Sequence, residues 1–374
     1  MRADKQLKRI VILVLMGFTA IGFGGCQTNG STNANQEADG KEVTVLPNTP
    51  IITDIFTADP SAHVFDGQLY IYPSHDPDEL TDPNASSDEG GQYQMTDYHV
   101  LSIDSFSGTC TDHGVALSLA DIPWAGQQLW APDAAYKKGK YFFYFPAKDK
   151  DGIFRIGVAT SKNPAGPFTA EESYIAGSFS MDPCVFVDTD GAAYMFFGGL
   201  DGGQLEDWQT GAYVKDSAGP GKSEAALGPM VAKMSEDMLS FASAPTEIAI
   251  VDENGDPIMA GDENRRFFEA SWVHKYNGKY YLSYSTGTTH FLVYAVSDTV
   301  TGPYVYKGQI LEPVQGWTTH HSIVEFNGEW YLFYHDDSLS GLDYRRCVKY
   351  TKLTYNEDGT IQTIDPYADM AEEN

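Results

Sequence analysis

Residues 265–285 read RRFFEASWVHKYNGKYYLSYS, and this stretch decides the fold. A lone carboxylate, Glu269, sits among Phe267, Phe268 and Ala270. A short strand pattern follows, then Tyr276-Asn277-Gly278-Lys279, then a second strand alternating aromatic with small or aliphatic residues. Alternation on both sides of an Asn-Gly turn predicts a β-hairpin. The same sentence recurs four more times: SAHVFDGQLYIYPSHD (61–76), DAAYKKGKYFFYFPAKD (133–149), PCVFVDTDGAAYMFFGG (183–199) and SIVEFNGEWYLFYHDD (322–337). The turn glycines are Gly67, Gly139, Gly191, Gly278 and Gly328, spaced by 72, 52, 87 and 50 residues. Such periods indicate one multi-strand unit per repeat. A second echo, SKNPAGPF (161–168) and SDTVTGPY (297–304), supports the reading. The expected fold is all-β, a single five-bladed β-propeller with its site at one end of the central channel.

What precedes each hairpin bears on function. Asp59, Asp133, Asp182, Glu269 and His320 stand at or just before the first strand of successive repeats. The innermost strands of a propeller all start at one end of the channel, so these distant residues converge. Taken singly, an Asp beside Pro is a turn or cap residue. An acid between apolar neighbours, such as Glu269, is either an edge residue or a carboxyl with a raised pKa. Glycosidic cleavage needs such a pair: one protonated carboxyl for the leaving oxygen, and one ionised carboxylate to activate water or attack carbon. A third charge can hold up the pKa of the acid.

At the N-terminus, Arg2, Lys5, Lys8 and Arg9 precede an apolar run, Ile10 to Ile21, too short for a good membrane-spanning helix. Phe23-Gly24-Gly25-Cys26 resembles a bacterial lipoprotein signal. The expected organisation is a signal peptide over 1–25, lipidation at Cys26, a disordered tether over 26–48 and the propeller over 49–374. Localisation at the bacterial cell envelope through a lipid anchor follows; secretion with an unrelated cysteine is the alternative. The formal charge of −28 becomes three units more negative without residues 1–25. A scattered acidic surface argues against nucleic acid and suits a neutral ligand. Cys110, Cys184 and Cys347 form neither a disulfide framework nor a zinc pattern. Cys184 and Cys347 are expected as small buried apolar residues. The acid clusters Asp149–Asp151 and Asp252–Asp256 imitate calcium loops but fall at turns.

From about Pro50 onward the chain resembles glycoside hydrolase family 43. The resemblance rests on TADPSAHVFDGQLYIYPSHD, LWAPDAAYKKGKYFFYFPA, GVATSKNPAGPF, MDPCVFVDTDGAAYMFFGG, FFEASWVHKYNGKYYLSYS and THHSIVEFNGEWYLFYH. It implies a five-bladed propeller with inverting chemistry. Asp59 is then the general base, Asp182 the pKa modulator and orienter, and Glu269 the general acid. His320 matches a channel histidine beside calcium or a water cluster; a histidine bonded to backbone is the alternative. Arg345 or Arg346 falls where the family places a sugar-contacting arginine, and Trp130 is a candidate pocket wall or a core residue. Asp133 follows Pro132 in a motif the family uses structurally. The resemblance implies an exo-acting enzyme releasing xylose or arabinose from plant-type glycans, monomeric, with no cofactor needed for the chemistry and calcium in the channel as a structural ion. Arabinanase or galactan-directed hydrolysis on the same fold is the near alternative, and a non-catalytic sugar-binding propeller the distant one.

Overall fold

The computed structural model describes residues 45–85, 90–106 and 108–368, all within one compact unit, Glu42–Asn374. The signal peptide, Cys26 and most of the expected tether lie outside the described residues. The last four tether residues, 45–48, correct the expected boundary. Val45 is fully buried, and the Asn48 side chain accepts a hydrogen bond from the Tyr334 hydroxyl at 3.0 Å.

Five sheets follow one another along the chain, antiparallel except where Ile250–Val251 pairs parallel with Tyr304–Leu311. Blade 1 comprises Phe56–Phe65, Gln68–Asp76, Asp97–Ile103 and Cys110–Ser118. Blade 2 runs from Asp133–Lys137 through Lys140–Asp149 and Phe154–Ser161 to Thr169–Ala170. Blade 3 runs from Cys184–Val187 to Thr246–Glu247, and blade 4 from Glu269–Tyr276 to Tyr304–Leu311. Blade 5 has three strands, His321–Phe326, Glu329–Asp336 and Cys347–Leu353. Its free edge is covered by the N-terminal segment, where Asn48 and Ile51 N–H donate to Tyr350 and Val348 carbonyls at 2.8 and 2.9 Å. Pairing the first residues with the last strand closes the ring and protects an edge.

The aromatic alternation glues neighbouring blades. In Lys140–Asp149, Phe143 and Phe145 pack with Tyr72 and Tyr98 of blade 1, while Phe142 and Tyr144 pack with Met195 and Phe197 of blade 3. The two-residue period of a strand sends successive side chains to opposite faces, so a sheet sandwiched between two others must be apolar on both. Buried Tyr72 donates its hydroxyl to Pro164 O at 2.8 Å and Tyr144 to Met238 O at 2.9 Å. Cys184 and Cys347 are buried and unpaired, as read from sequence. The acid clusters build turns: Asp149 Oδ1 accepts the Asp151 and Ile153 amides, and Asp252 Oδ1 accepts those of Asn254 and Asp256.

Asp133, 1% exposed, ties three blades together at the channel. Its carboxylate accepts from Ser61 Oγ at 2.5 Å and the Val185 amide, and lies 2.7 Å from His63 Nε2. Both of its oxygens bond neighbouring inner strands, which accounts for an acid at this repeat position outside the cavity lining.

Candidate active site

The inner strands of blades 1 and 4 each carry a β-bulge at their start, between Ala58 and Ser61 and between Glu269 and Trp272. The backbone there is left-handed, with φ of 50° at Asp59 and 65° at Ala270; Asp182, before the blade 3 strand, has φ of 54°. These are costly conformations for residues with a Cβ. They break the strict alternation and re-aim the carboxylates toward one end of the channel.

There a cavity of about 480 Å³ is lined by Asp59, Asp182, Glu269, His320, Arg346 and Trp130, among others. Six of the seven candidate binding and catalytic residues therefore meet. The exception is Arg345, whose guanidinium lies over the rings of Phe56 and Tyr344 at 5.5 and 5.9 Å. Between the two arginines left open by sequence, Arg346 faces the cavity. Trp130 is mainly a strut: 8% exposed, it donates through Nε1 to Tyr93 O at 2.9 Å. It thereby fixes the segment that supplies Gln92, Tyr93 and Met95 to the wall.

Electrostatics separate the carboxylates. Arg346, 4% exposed, grips Asp76 with two hydrogen bonds, Nε to Oδ2 at 2.9 Å and Nη2 to Oδ1 at 2.7 Å. Its remaining Nη1 reaches Asp59 Oδ1 at 3.1 Å and Thr318 Oγ1 at 3.0 Å. Asp59 also accepts Ser74 Oγ at 2.6 Å. Burial alone would raise the Asp59 pKa; the Arg346 charge overrides it and holds the group down at about 2. The Asp59 amide donates to His335 Nδ1 at 2.9 Å, so that nitrogen carries the lone pair, and burial keeps His335 neutral with its pKa near 3.

Glu269 has the opposite environment. Burial beside Phe268, then the nearby Asp59 charge, push it up to about 8. Gly199 abuts it: a Cβ there would lie 3.3 Å from Glu269 Cβ and 2.1 Å from Met181 Cε, so a side chain would have to displace Met181 and press on Glu269. Burial and then the Glu269 charge also push Asp182 well above the usual carboxylate range. Its Oδ2 accepts the Ala270 amide at 2.9 Å, which anchors it one residue from Glu269. Two such neighbours do not both ionise; the pair holds a proton near neutral pH. His320 Nε2 is 3.8 Å from Asp182 Oδ2, and burial lowers its pKa to about 4. Neither of its ring nitrogens has a hydrogen-bond partner among the described residues.

Asp76, Ser74 and His335 were not singled out in the sequence, yet a signal for them existed. In an antiparallel hairpin the end of the second strand lies beside the start of the first, and here Ala58 pairs with Ser74, Phe56 with Asp76 and His321 with Tyr334. The repeat ends Ser74-His75-Asp76 and Tyr334-His335-Asp336 therefore return to the same mouth as Asp59 and His320. Trp317, 44% exposed on the cavity rim, had no comparable signal. The segments after the first and third hairpins add Gly90, Gln92, Tyr93 and Met95, and Leu200, Asp201, Gly202 and Gly203, to the lining.

An ionised carboxylate held by arginine and a protonated one on the facing wall form an acid–base pair. Known proteins point the same way. The family profile described as "Glycosyl hydrolases family 43" matches residues 48–361. A protein from Humicola insolens named xylosidase/arabinosidase 43A is 59% identical over 327 residues, covering 85% of this chain and 99% of its own. A xylosidase/arabinosidase from Bacteroides ovatus is 53% identical, covering 83% of this chain and 95% of its own. A crystal structure of a β-xylosidase/α-arabinofuranosidase from a compost microbial metagenome, in complex with xylotriose and calcium-free, superposes with a TM-score of 0.84. That structure is 60% identical and covers 87% of this chain and 99% of its own.

Proposed function

The chain belongs to glycosyl hydrolase family 43, and on that premise we propose that it is an exo-acting, inverting glycosidase. It releases xylose or arabinose from plant-type glycans, as its relatives' names indicate for them. The observation that carries the reading is the split between two carboxyls lining one cavity, Asp59 at about 2 and Glu269 at about 8.

In this mechanism Asp59 is the base. Ionised throughout the physiological range and steadied by Arg346 and Ser74, it takes a proton from water attacking the anomeric carbon. Glu269 enters the step protonated and donates to the glycosidic oxygen of the leaving group. Asp182, anchored on the Ala270 amide, serves as the orienter and pKa modulator of Glu269. The water attacks from the face opposite the departing sugar, which inverts the configuration. Trp317 and Phe268 offer aromatic faces to the sugar rings. The chemistry needs no cofactor. The unpartnered nitrogens of His320 suit a calcium ion held through its own waters, since calcium takes oxygen ligands and the imidazole can bond those waters. Such an ion would add positive charge near Asp182.

The reading is tested with 4-nitrophenyl β-D-xylopyranoside, α-L-arabinofuranoside, α-L-arabinopyranoside and β-D-galactopyranoside, using the domain from Thr49 onward preceded by Val45–Asn48. Turnover of a pentoside by wild type, with loss in Asp59→Asn of about 10³-fold or more, is expected. Silence on all four sugars, with binding of xylo-oligosaccharides retained, would instead favour a sugar-binding propeller. We propose further that residues 1–25 and Cys26 direct the enzyme to the cell envelope with a lipid anchor; Cys26→Ser should then shift it from the membrane to the soluble fraction, and unchanged membrane retention would sink the anchor.

A further inference from the structure

A cluster away from the cavity has the composition of a metal site. His75 is the penultimate residue of the second strand of blade 1, and Asp97 and His99 lie two apart on the adjacent strand. A spacing of two puts Asp97 and His99 on one face of the sheet. One donor atom from each of the three residues lies within 4.8 Å of the other two. His75 Nδ1 is 2.5 Å from Asp97 Oδ1, and the two imidazole rings are 4.3 Å apart between centroids. Behind His99 stands Asp112, both of whose oxygens lie 2.9 Å from His99 Nδ1. Asp112 is itself fixed, accepting the Gly114 amide at 2.8 Å.

We propose that His75, Asp97 and His99 bind a borderline divalent cation, zinc(II) by preference, with Asp112 orienting His99 from behind. Two imidazoles and one carboxylate are a donor set that zinc takes with a water in the fourth position. The carboxylate on His99 Nδ1 fixes the tautomer that leaves Nε2 bare, an arrangement typical of metal-ligating histidines. The side chains of His75, Asp97 and His99 are 24%, 25% and 11% exposed, so the cation can enter from solvent and keep a water.

The location gives the ion a structural task. The chain leaves blade 1 at Asp76 and returns at Asp97, and the intervening segment supplies Gln92, Tyr93 and Met95 to the cavity wall. A cation shared by His75, Asp97 and His99 clips the base of that loop and removes closure entropy from it. It also sits one residue from Asp76, the anchor of Arg346.

The experiment is titration of EDTA-stripped, dialysed protein with zinc chloride by calorimetry, with metal content measured after dialysis. Wild type and His320→Gln should each bind one zinc per chain, with a rise in Tm. His75→Gln and His99→Gln, which circular dichroism should show to be folded, should each weaken binding at least about 100-fold, and Asp112→Asn about 10- to 100-fold. Unchanged affinity in His75→Gln and His99→Gln, loss of the zinc in His320→Gln, or no binding at micromolar zinc by folded wild type would each overturn the proposal.

Discussion

Glu269→Gln should cut turnover of xylobiose or an arabino-oligosaccharide by about 10²- to 10⁴-fold while losing much less on a 4-nitrophenyl glycoside. The reason lies in the leaving group: 4-nitrophenolate departs without a proton, whereas a sugar alkoxide does not. Asp59→Asn should show no such selectivity, because both substrates need the activated water. Equal losses on the two substrates in Glu269→Gln would remove Glu269 from the acid role. The same residue sets the alkaline limb of the pH profile, with activity falling as pH rises through about 8. It also has a stability signature. The folded pKa of Glu269 is raised above its unfolded value of 4.5, so the native state binds the proton more tightly. Its contribution is fully present below about pH 4.5 and is lost as pH rises toward 8. Glutamine carries no proton to lose, so the variant should be more stable than wild type at pH 8 and little different at pH 4. A Tm difference that does not grow with pH would contradict this.

Arg346→Lys should be nearly as damaging as losing a carboxylate, although charge is conserved. The guanidinium spends two nitrogens on Asp76 and a third on Asp59 and Thr318; an ammonium cannot reproduce that planar fork. Asp59 would lose the contact that outweighs its burial, and its pKa would rise from about 2. The acid limb of the rate profile should then move to higher pH, with kcat reduced by more than tenfold. Arg346→Met leaves two buried carboxylates unpaired and should cost about 3–5 kcal/mol in urea unfolding. Asp59 also makes a linkage prediction. Its depressed pKa contributes stability present above about pH 4 and lost as pH falls toward 2, and this dependence should disappear in Asp59→Asn. An Arg346→Lys enzyme with a wild-type acid limb would show that something other than Arg346 keeps Asp59 ionised.

The five repeats, their turn glycines and the two-sided aromatic alternation were local signals, and they determined an all-β propeller and the end of the channel where the acids meet. Asp59, Asp182 and Glu269 were legible because a repeated strand start is a repeated position in space. The boundary at Asn48 was not: Val45 and Asn48 are ordered by Gly108, Tyr334 and Tyr350, hundreds of residues away for the latter two. Nor could sequence choose between Arg345 and Arg346. Both precede the last strand, Cys347–Leu353, where no strand alternation assigns a side, and the choice depends on Asp76 lying across the seam between blades 5 and 1. Asp133 and Asp182 stand at matching strand starts, yet one is consumed by Ser61, His63 and Val185 while the other faces Glu269. The bulges that aim the carboxylates left no mark in the hydrophobic pattern. The charge state of each acid was decided last and only by tertiary structure, because a pKa is set by what the fold brings within a few ångströms. The residues named the chemistry; the ring closure of five blades assigned Asp59 and Glu269 their opposite environments.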